Sequence, residues 1–164
     1  MDHKPKVLFF STGDSTRSQI AEGFLRTLGG EELVPVSTAT QSAEADPLAR
    51  DVMKEVGIDI STQHAKEIRE SFQEHFAYVV TICDASREKF PVWPFARNIL
   101  HWSLTDPEEI QGPTEHKREA FRRVRDEIAG KVRGFLAQLQ ANQWNQGQAS
   151  SGSGTSSLKC AARQ

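Results

Sequence analysis

The feature that most constrains the fold is the run Val7-Leu8-Phe9-Phe10, followed at once by the polar stretch Ser11 to Ser18, STGDSTRS. Consecutive apolar residues rich in β-formers leave no side of the strand for water. They suit a strand buried on both faces of a parallel sheet rather than a half-exposed antiparallel one. Beyond the polar stretch, Ile20, Phe24, Leu25 and Leu28 recur at helical spacing until Gly29-Gly30 supply a stop. Strand, polar loop and helix in that order open an α/β fold.

The rest of the chain repeats the theme. Leu33 to Thr38 is a second strand, and Asp46-Pro47 caps and starts a helix whose Leu48, Val52, Met53 and Val56 run to Gly57. Ala65 to Phe72 reads as a short helix, Tyr78 to Cys83 as a strong buried strand, and Asn98 to Trp102 as a fourth strand. The last helix begins near Pro113-Thr114 and carries Phe121, Val124, Ile128, Val132, Phe135, Leu136 and Leu139 on one stripe. Its other face holds Lys117, Arg118, Arg122, Arg123, Arg125, Lys131 and Arg133, interleaved with Glu115, Glu119, Asp126 and Glu127. Mixed charge of that kind reads as a solvent-facing surface, not a nucleic-acid face. From Ala141 the chain turns to Gln, Ser, Gly and Ala, too poor in large apolar groups to offset ordering entropy. The expectation is a domain over residues 1–140 and a flexible tail over 141–164. Alternating strands and helices imply a four-stranded, mainly parallel sheet covered on both faces, a three-layer α/β/α fold.

Composition narrows the function. With 164 residues, 20 Lys+Arg against 22 Asp+Glu and a net charge of −2, the chain lacks the basic excess of a phosphate-neutralising nucleic-acid binder. No apolar run is long enough to span a membrane and no signal peptide is visible before Val7, so a cytoplasmic protein is expected. Two cysteines, Cys83 and Cys160, exclude a disulfide framework and a cysteine-based zinc site, and the five histidines show no metal-ligand spacing. His101-Trp102 reads as packing at a strand end.

In an open α/β sheet, ligands bind beyond the carboxyl ends of the strands, where the Ser11 to Ser18 loop lies just before a helix N-terminus. Its composition is that of an anion cradle. Gly13 lets the backbone approach a ligand, successive amides converge, and the helix end adds partial positive charge. Arg17 offers a planar fork matched to phosphate or arsenate, and Ser11, Thr12, Ser15, Thr16 and Ser18 bring hydroxyls. One glycine and no lysine exclude the nucleotide-binding loop G-x-x-x-x-G-K-[ST]. An ordinary polar turn, with Ser and Thr as helix caps, accounts for the loop alone about equally well.

The run Val7 to Gly23, VLFFSTGDSTRSQIAEG, resembles the signature of the low-molecular-weight protein tyrosine phosphatases and of the thioredoxin-coupled arsenate reductases on the same fold. The resemblance continues through Met53 to Ser61, Val79 to Cys83, His101-Trp102 with Asp106-Pro107, and Arg123 to Ile128, in the wording of the reductase branch. It implies strand order 2-1-3-4 and a loop of the form Cys-x5-Arg-Ser. By that motif, Arg17 is the oxyanion clamp, Ser18 the hydroxyl supporting the nucleophile, Asp106 the general acid, and Ser11 the residue in the nucleophile's place. The oxyanion site so implied comprises Ser11, Thr12, Gly13, Asp14, Ser15, Thr16 and Arg17.

Serine is not equivalent to cysteine there. Converging amides and an arginine can bring a thiol from ~8.5 to roughly 3.5–7.5. An aliphatic hydroxyl titrates nearer the ~15.7 of water, so the same environment leaves almost no alkoxide at neutral pH. Asp14 stands where the family usually has Asn, adding repulsion toward an oxyanion, and Thr38-Ala39-Thr40 where it commonly reads Ser-Ala-Gly. The reductases pass oxidation from the loop cysteine to a second and a third. Cys83 matches the second relay position, although an apolar strand end is also an ordinary place for a buried cysteine. Phe90 fills the third, and Cys160 reads as a free tail residue. The resemblance therefore implies phosphate, arsenate or sulfate as loop ligand with no other cofactor. The substrate would be a small oxyanion or phosphotyrosine type, thioredoxin the partner of any reductase turnover, and the protein a monomer of impaired catalysis. Two alternatives stand beside this: a non-catalytic oxyanion-binding protein, and a regulatory relic of the family without a ligand.

Overall fold

The structure, a computed structural model, describes residues 3–11, 15–40, 42–83 and 96–151. Elements follow in the order β1 (Lys6–Ser11), α1 (Thr16–Leu28), β2 (Val34–Ala39), α2 (Pro47–Glu55), β3 (Lys66–Glu67), α3 (Ile68–Ser71), β4 (Phe76–Cys83), β5 (Ala96–Ser103), a 3-10 turn (Pro107–Glu109) and α4 (Thr114–Ser151). The strands pair in the order β3-β2-β1-β4-β5, and every strand pairing is parallel. Helices cover both sides of the sheet.

The expected order 2-1-3-4 is present as β2-β1-β4-β5, but the sheet has five strands rather than four. The extra strand is Lys66–Glu67, paired through Thr38↔Lys66 and Ala39↔Glu67, inside the segment read as a helix from Ala65 to Phe72. Only Ile68–Ser71 is helical there. A strand of two residues is too short to display alternation, so its only signal is the exposed edge of β2, which is invisible in sequence.

The chain divides into two units, Met1–Arg133 and Gly134–Gln164, and α4 is helical from Thr114 through Ser151. In the first unit β1 is central. Val7, Leu8 and Phe9 are fully buried, as a strand covered on both faces requires. From β1 the chain builds outward to β2 through α1 and later returns to β4 on the other flank. The carboxyl end of β1, at Ser11, is therefore the topological switch point of the sheet, where strand ends diverge and leave a crevice.

Local signals position α1 and α2. Asp46 caps α2 by accepting from the Leu48 amide at 2.7 Å, with Pro47 as first residue. At the other end, the Gly57 amide donates to Lys54 O at 3.0 Å and the Ile58 amide to Met53 O at 3.0 Å, with Gly57 at φ +78°. That pair of bonds satisfies the last carbonyls and requires the left-handed conformation glycine adopts without cost. Gly23 serves another purpose. A Cβ on it would lie 2.8 Å from Ile60 Cγ2 and 3.3 Å from Met53 Cε, so α1 reaches its neighbours only because no side chain intervenes. On α1, the buried Glu22 carboxylate accepts from Ser37 Oγ of β2 and from Arg26, which ties helix to sheet.

Within the first unit, α4 buries Phe121, Val124, Ile128 and Val132. Arg125, read as part of a solvent-facing surface, is instead only 8% exposed. Its Nη1 donates to Val52 O and to Glu55 Oε2, both at 2.9 Å, and its Nε to Asp126 at 2.8 Å. Arg122 grips Glu55 from the other side, with Nη2 to Oε1 at 2.8 Å and Nε to Oε2 at 3.0 Å. Hydrogen bonding from Arg122 holds the Glu55 carboxyl at about 2, well below its ordinary 4.5. Burial depresses Arg125, but its hydrogen bonds to the Asp126 and Glu55 carboxylates outweigh it and leave the guanidinium raised.

Candidate functional site

The site is built at the carboxyl end of β1. Ser11 ends the strand fully buried, and its hydroxyl donates to Ser18 Oγ at 3.2 Å across the loop. Ser18 Oγ donates to Ser15 O at 2.9 Å and reaches Thr38 O at 3.4 Å. Thr38 in turn donates from Oγ1 to Phe9 O at 3.4 Å, so β2 braces the same corner. Ser15 is the residue before α1, but its side chain does not cap the helix. It accepts from Gln19 Nε2 at 2.7 Å and donates to Ala43 O at 3.4 Å, committing it to hold the 43–46 segment.

Arg17 lies in the first turn of α1 with 2% of its surface exposed. Its Nη1 donates to Leu104 O at 2.9 Å and its Nη2 to Asp106 Oδ2 at 3.0 Å. Two donors on one planar group orient it toward the segment that follows β5. Asp106 is held from its other oxygen: Oδ1 accepts from the Glu108 amide at 3.0 Å, the capping bond of the Pro107–Glu109 turn. The Thr16 hydroxyl donates to Glu108 Oε1 at 2.7 Å and accepts from the Asp46 amide at 3.3 Å.

Four of the five residues singled out as catalytic thus meet at one corner: Ser11, Arg17 and Ser18 through β1 and α1, and Asp106 across the sheet from the end of β5. Cys83 is the last residue of β4, opposite Ser103 and one step beyond Ile82, the partner of Ser11. Its backbone lies at the same end of the sheet. Of the remaining site residues, Ser15 and Thr16 belong to this corner, while Thr12, Gly13 and Asp14 lie outside the described residues, as do Phe90 and Cys160. Trp102 is buried with its ring 5.7 Å from that of Phe9, and His101 Nδ1 lies 2.9 Å from Thr81 Oγ1. Trp102 packs near the end of β5, whereas His101 is exposed on the same strand.

Sequence reasoning missed Glu108 and the Leu104 carbonyl. Asp106-Pro107 announces a capped turn, and the cap places the residue two positions on, Glu108, over the Asp106 carboxylate. That its side chain would reach Thr16 depends on the registers of β5 against β4 and of β4 against β1, which no local pattern encodes. Among the described residues, no group of three His, Cys, Asp or Glu side chains is placed to hold a metal ion, and no helix is long and apolar enough to cross a membrane.

What the arrangement offers chemically is a buried guanidinium in the first turn of a helix, paired with a carboxylate, and two hydroxyls, of Ser11 and Ser18, bonded to each other across the loop. Residues 6–145 match the family described as low molecular weight phosphotyrosine protein phosphatase. An arsenate reductase of Halalkalibacterium halodurans is 36% identical over 133 residues, covering 81% of this chain and 96% of the relative. A glutaredoxin arsenate reductase of Synechocystis is 32% identical over 134 residues, covering 82% of this chain and 98% of that one. A solved arsenate reductase in the phosphate binding state superposes with a TM-score of 0.69 at 32% identity, covering 82% of this chain and 98% of its own. The chain belongs to the low-molecular-weight protein tyrosine phosphatase and arsenate reductase family.

Proposed function

We propose that this protein binds a tetrahedral oxyanion, phosphate or arsenate, in the Ser11–Ser18 loop and turns it over weakly or not at all. The observation that carries the reading is Arg17, a buried guanidinium held by Leu104 O and Asp106 in the first turn of α1, the helix that follows the Ser11–Ser18 loop. The solved relative in a phosphate binding state supports an anion there. Arg17 would grip the oxyanion, α1 would stabilise its charge, and Asp106 would supply a proton to a leaving oxygen.

Weak turnover follows from the nucleophile's place. For Ser11 Oγ to attack, its proton must leave, yet the path from Ser11 to Ser18 Oγ ends on the carbonyls of Ser15 and Thr38, which are not bases at neutral pH. A neutral hydroxyl in place of a thiolate also removes repulsion toward a dianion, so binding survives where turnover does not. For arsenate reduction the relay is short as well, with Cys83 in the second position and Phe90 in the third. A regulatory relic without any ligand is the second reading, favoured by Asp14, whose carboxylate stands within the loop.

Calorimetric titration of phosphate and arsenate, run beside p-nitrophenyl phosphate hydrolysis and thioredoxin-coupled arsenate reduction, separates these cases. Binding without turnover supports the proposal. Turnover abolished by Ser11→Ala overturns its catalytic half, and silence in every assay leaves the relic. In Ser11→Cys lacking Cys160, we expect no multi-turnover thioredoxin-dependent reduction; steady cycling would refute the incomplete relay.

A further inference from the structure

We propose that Glu108 is a positioning residue that keeps Asp106 in register with Arg17 while Arg17 holds an oxyanion; this rests on the reading of the loop as an oxyanion site. The contacts close a ring. Thr16 Oγ1 donates to the Glu108 carboxylate at 2.7 Å, the Glu108 amide donates to Asp106 Oδ1 at 3.0 Å, and Asp106 Oδ2 accepts from Arg17 Nη2 at 3.0 Å. Thr16 and Arg17 are neighbours on α1, so the ring returns to its start through one peptide bond. A second bond, from the Asp46 amide to Thr16 Oγ1 at 3.3 Å, orients the hydroxyl so that its proton points at Glu108.

The ring matters because Arg17, which also ties this turn to α1, is the group that must redirect its donors when a ligand arrives. Leu104 and Pro107 are buried and set where the turn lies, but apolar contacts are non-directional and do not set the rotation of the Asp106 carboxyl. Directional hydrogen bonds do. Glu108 supplies them on both sides, backbone toward Asp106 and side chain toward Thr16. Glu108 is itself exposed while Thr16 is 1% exposed. An exposed carboxylate held on a buried hydroxyl is a contact made by geometry rather than by packing. Its negative charge works against an oxyanion, so its contribution is positional and should survive removal of the charge.

The test is phosphate affinity by calorimetry on the intact chain, with Glu108→Ala, Glu108→Gln, Thr16→Val and the double variant Thr16→Val/Glu108→Ala. Glu108→Ala should weaken binding about fivefold to tenfold, the loss of one positioning hydrogen bond. Glu108→Gln keeps an acceptor for Thr16 and should stay within about twofold of wild type. Thr16→Val should weaken binding at least as much, and the double variant no further than Thr16→Val, since both break the same link. Unchanged affinity in Glu108→Ala, additive losses in the double variant, or a Gln variant as weak as Ala would overturn the proposal. Should wild type bind no phosphate, the oxyanion reading fails, and amide exchange judges the ring by itself. Exchange at Glu108, Glu109 and Ile110 should quicken about fivefold in Glu108→Ala and Thr16→Val but not in Glu108→Gln, and equal exchange in all four proteins would overturn it.

Discussion

Arg17 and Arg125 make nearly the same contacts in two different places. Each is almost fully buried, each donates to a backbone carbonyl at 2.9 Å, and each pairs with a carboxylate within 3.0 Å. Their surroundings differ. Arg125 closes the seam between α4 and the end of α2, where its partners Glu55 and Asp126 keep much of their surface in water. Arg17 stands at the point where β1 ends and the strands part, and its partner Asp106 has 13% of its side chain exposed. A guanidinium with its donors used up on a helix seam fastens structure. The same group in the first turn of a helix, at the switch point of the sheet, stands where we propose that an oxyanion binds. Contact lists alone do not separate the two; the position in the sheet does.

The largest effect that would break the comparison is on ligand binding. Arg17→Ala should cut phosphate affinity about 100-fold, since a bidentate charge-assisted clamp disappears, while Arg125→Ala should leave it within about twofold. Chemical denaturation should give the opposite ranking of roles for Arg125: its removal should cost about 1.5–3 kcal/mol by leaving the buried Val52 O without a charged donor and Glu55 with Arg122 as its remaining charged partner among the described residues. Gly23→Ala tests packing with no change of charge. The clash with Ile60 Cγ2 should cost about 1–3 kcal/mol, and a neutral result would mean that α1 and the 58–63 segment separate freely.

The smallest effect is the most specific. Glu55 titrates at about 2 when folded and near 4.5 when not, so its ion pairs add stability above pH 4.5 and lose it as pH falls toward 2. The stability difference between wild type and Glu55→Gln should be constant near neutral pH and shrink across that window. A difference independent of pH would show that the pairs with Arg122 and Arg125 do not stabilise the fold.

Much of this was legible in the chain because its signals are local. Val7 to Phe10 announces a doubly covered strand, and Asp46-Pro47 and Gly57 mark both ends of α2 with the caps that are present. Arg17 and Ser18 follow Ser11 at a spacing that brings their side chains back to the strand end. What was not legible is long-range. Lys66–Glu67 becomes a strand because the edge of β2 offers hydrogen bonds, and Arg125 is buried because its turn of α4 faces Glu55, 70 residues earlier. Interleaved charge reads the same whether the partner is water or another helix. Glu108 falls in this class too, since its contact with Thr16 spans 92 residues and depends on how β5 pairs with β4.

The most direct test of the central claim is calorimetric titration of phosphate into wild type and Arg17→Ala under identical conditions, with Arg125→Ala as the folded control. We expect saturable binding by wild type and Arg125→Ala and about 100-fold weaker binding by Arg17→Ala. Equal binding by Arg17→Ala and wild type, or none by a folded wild type, would contradict the account.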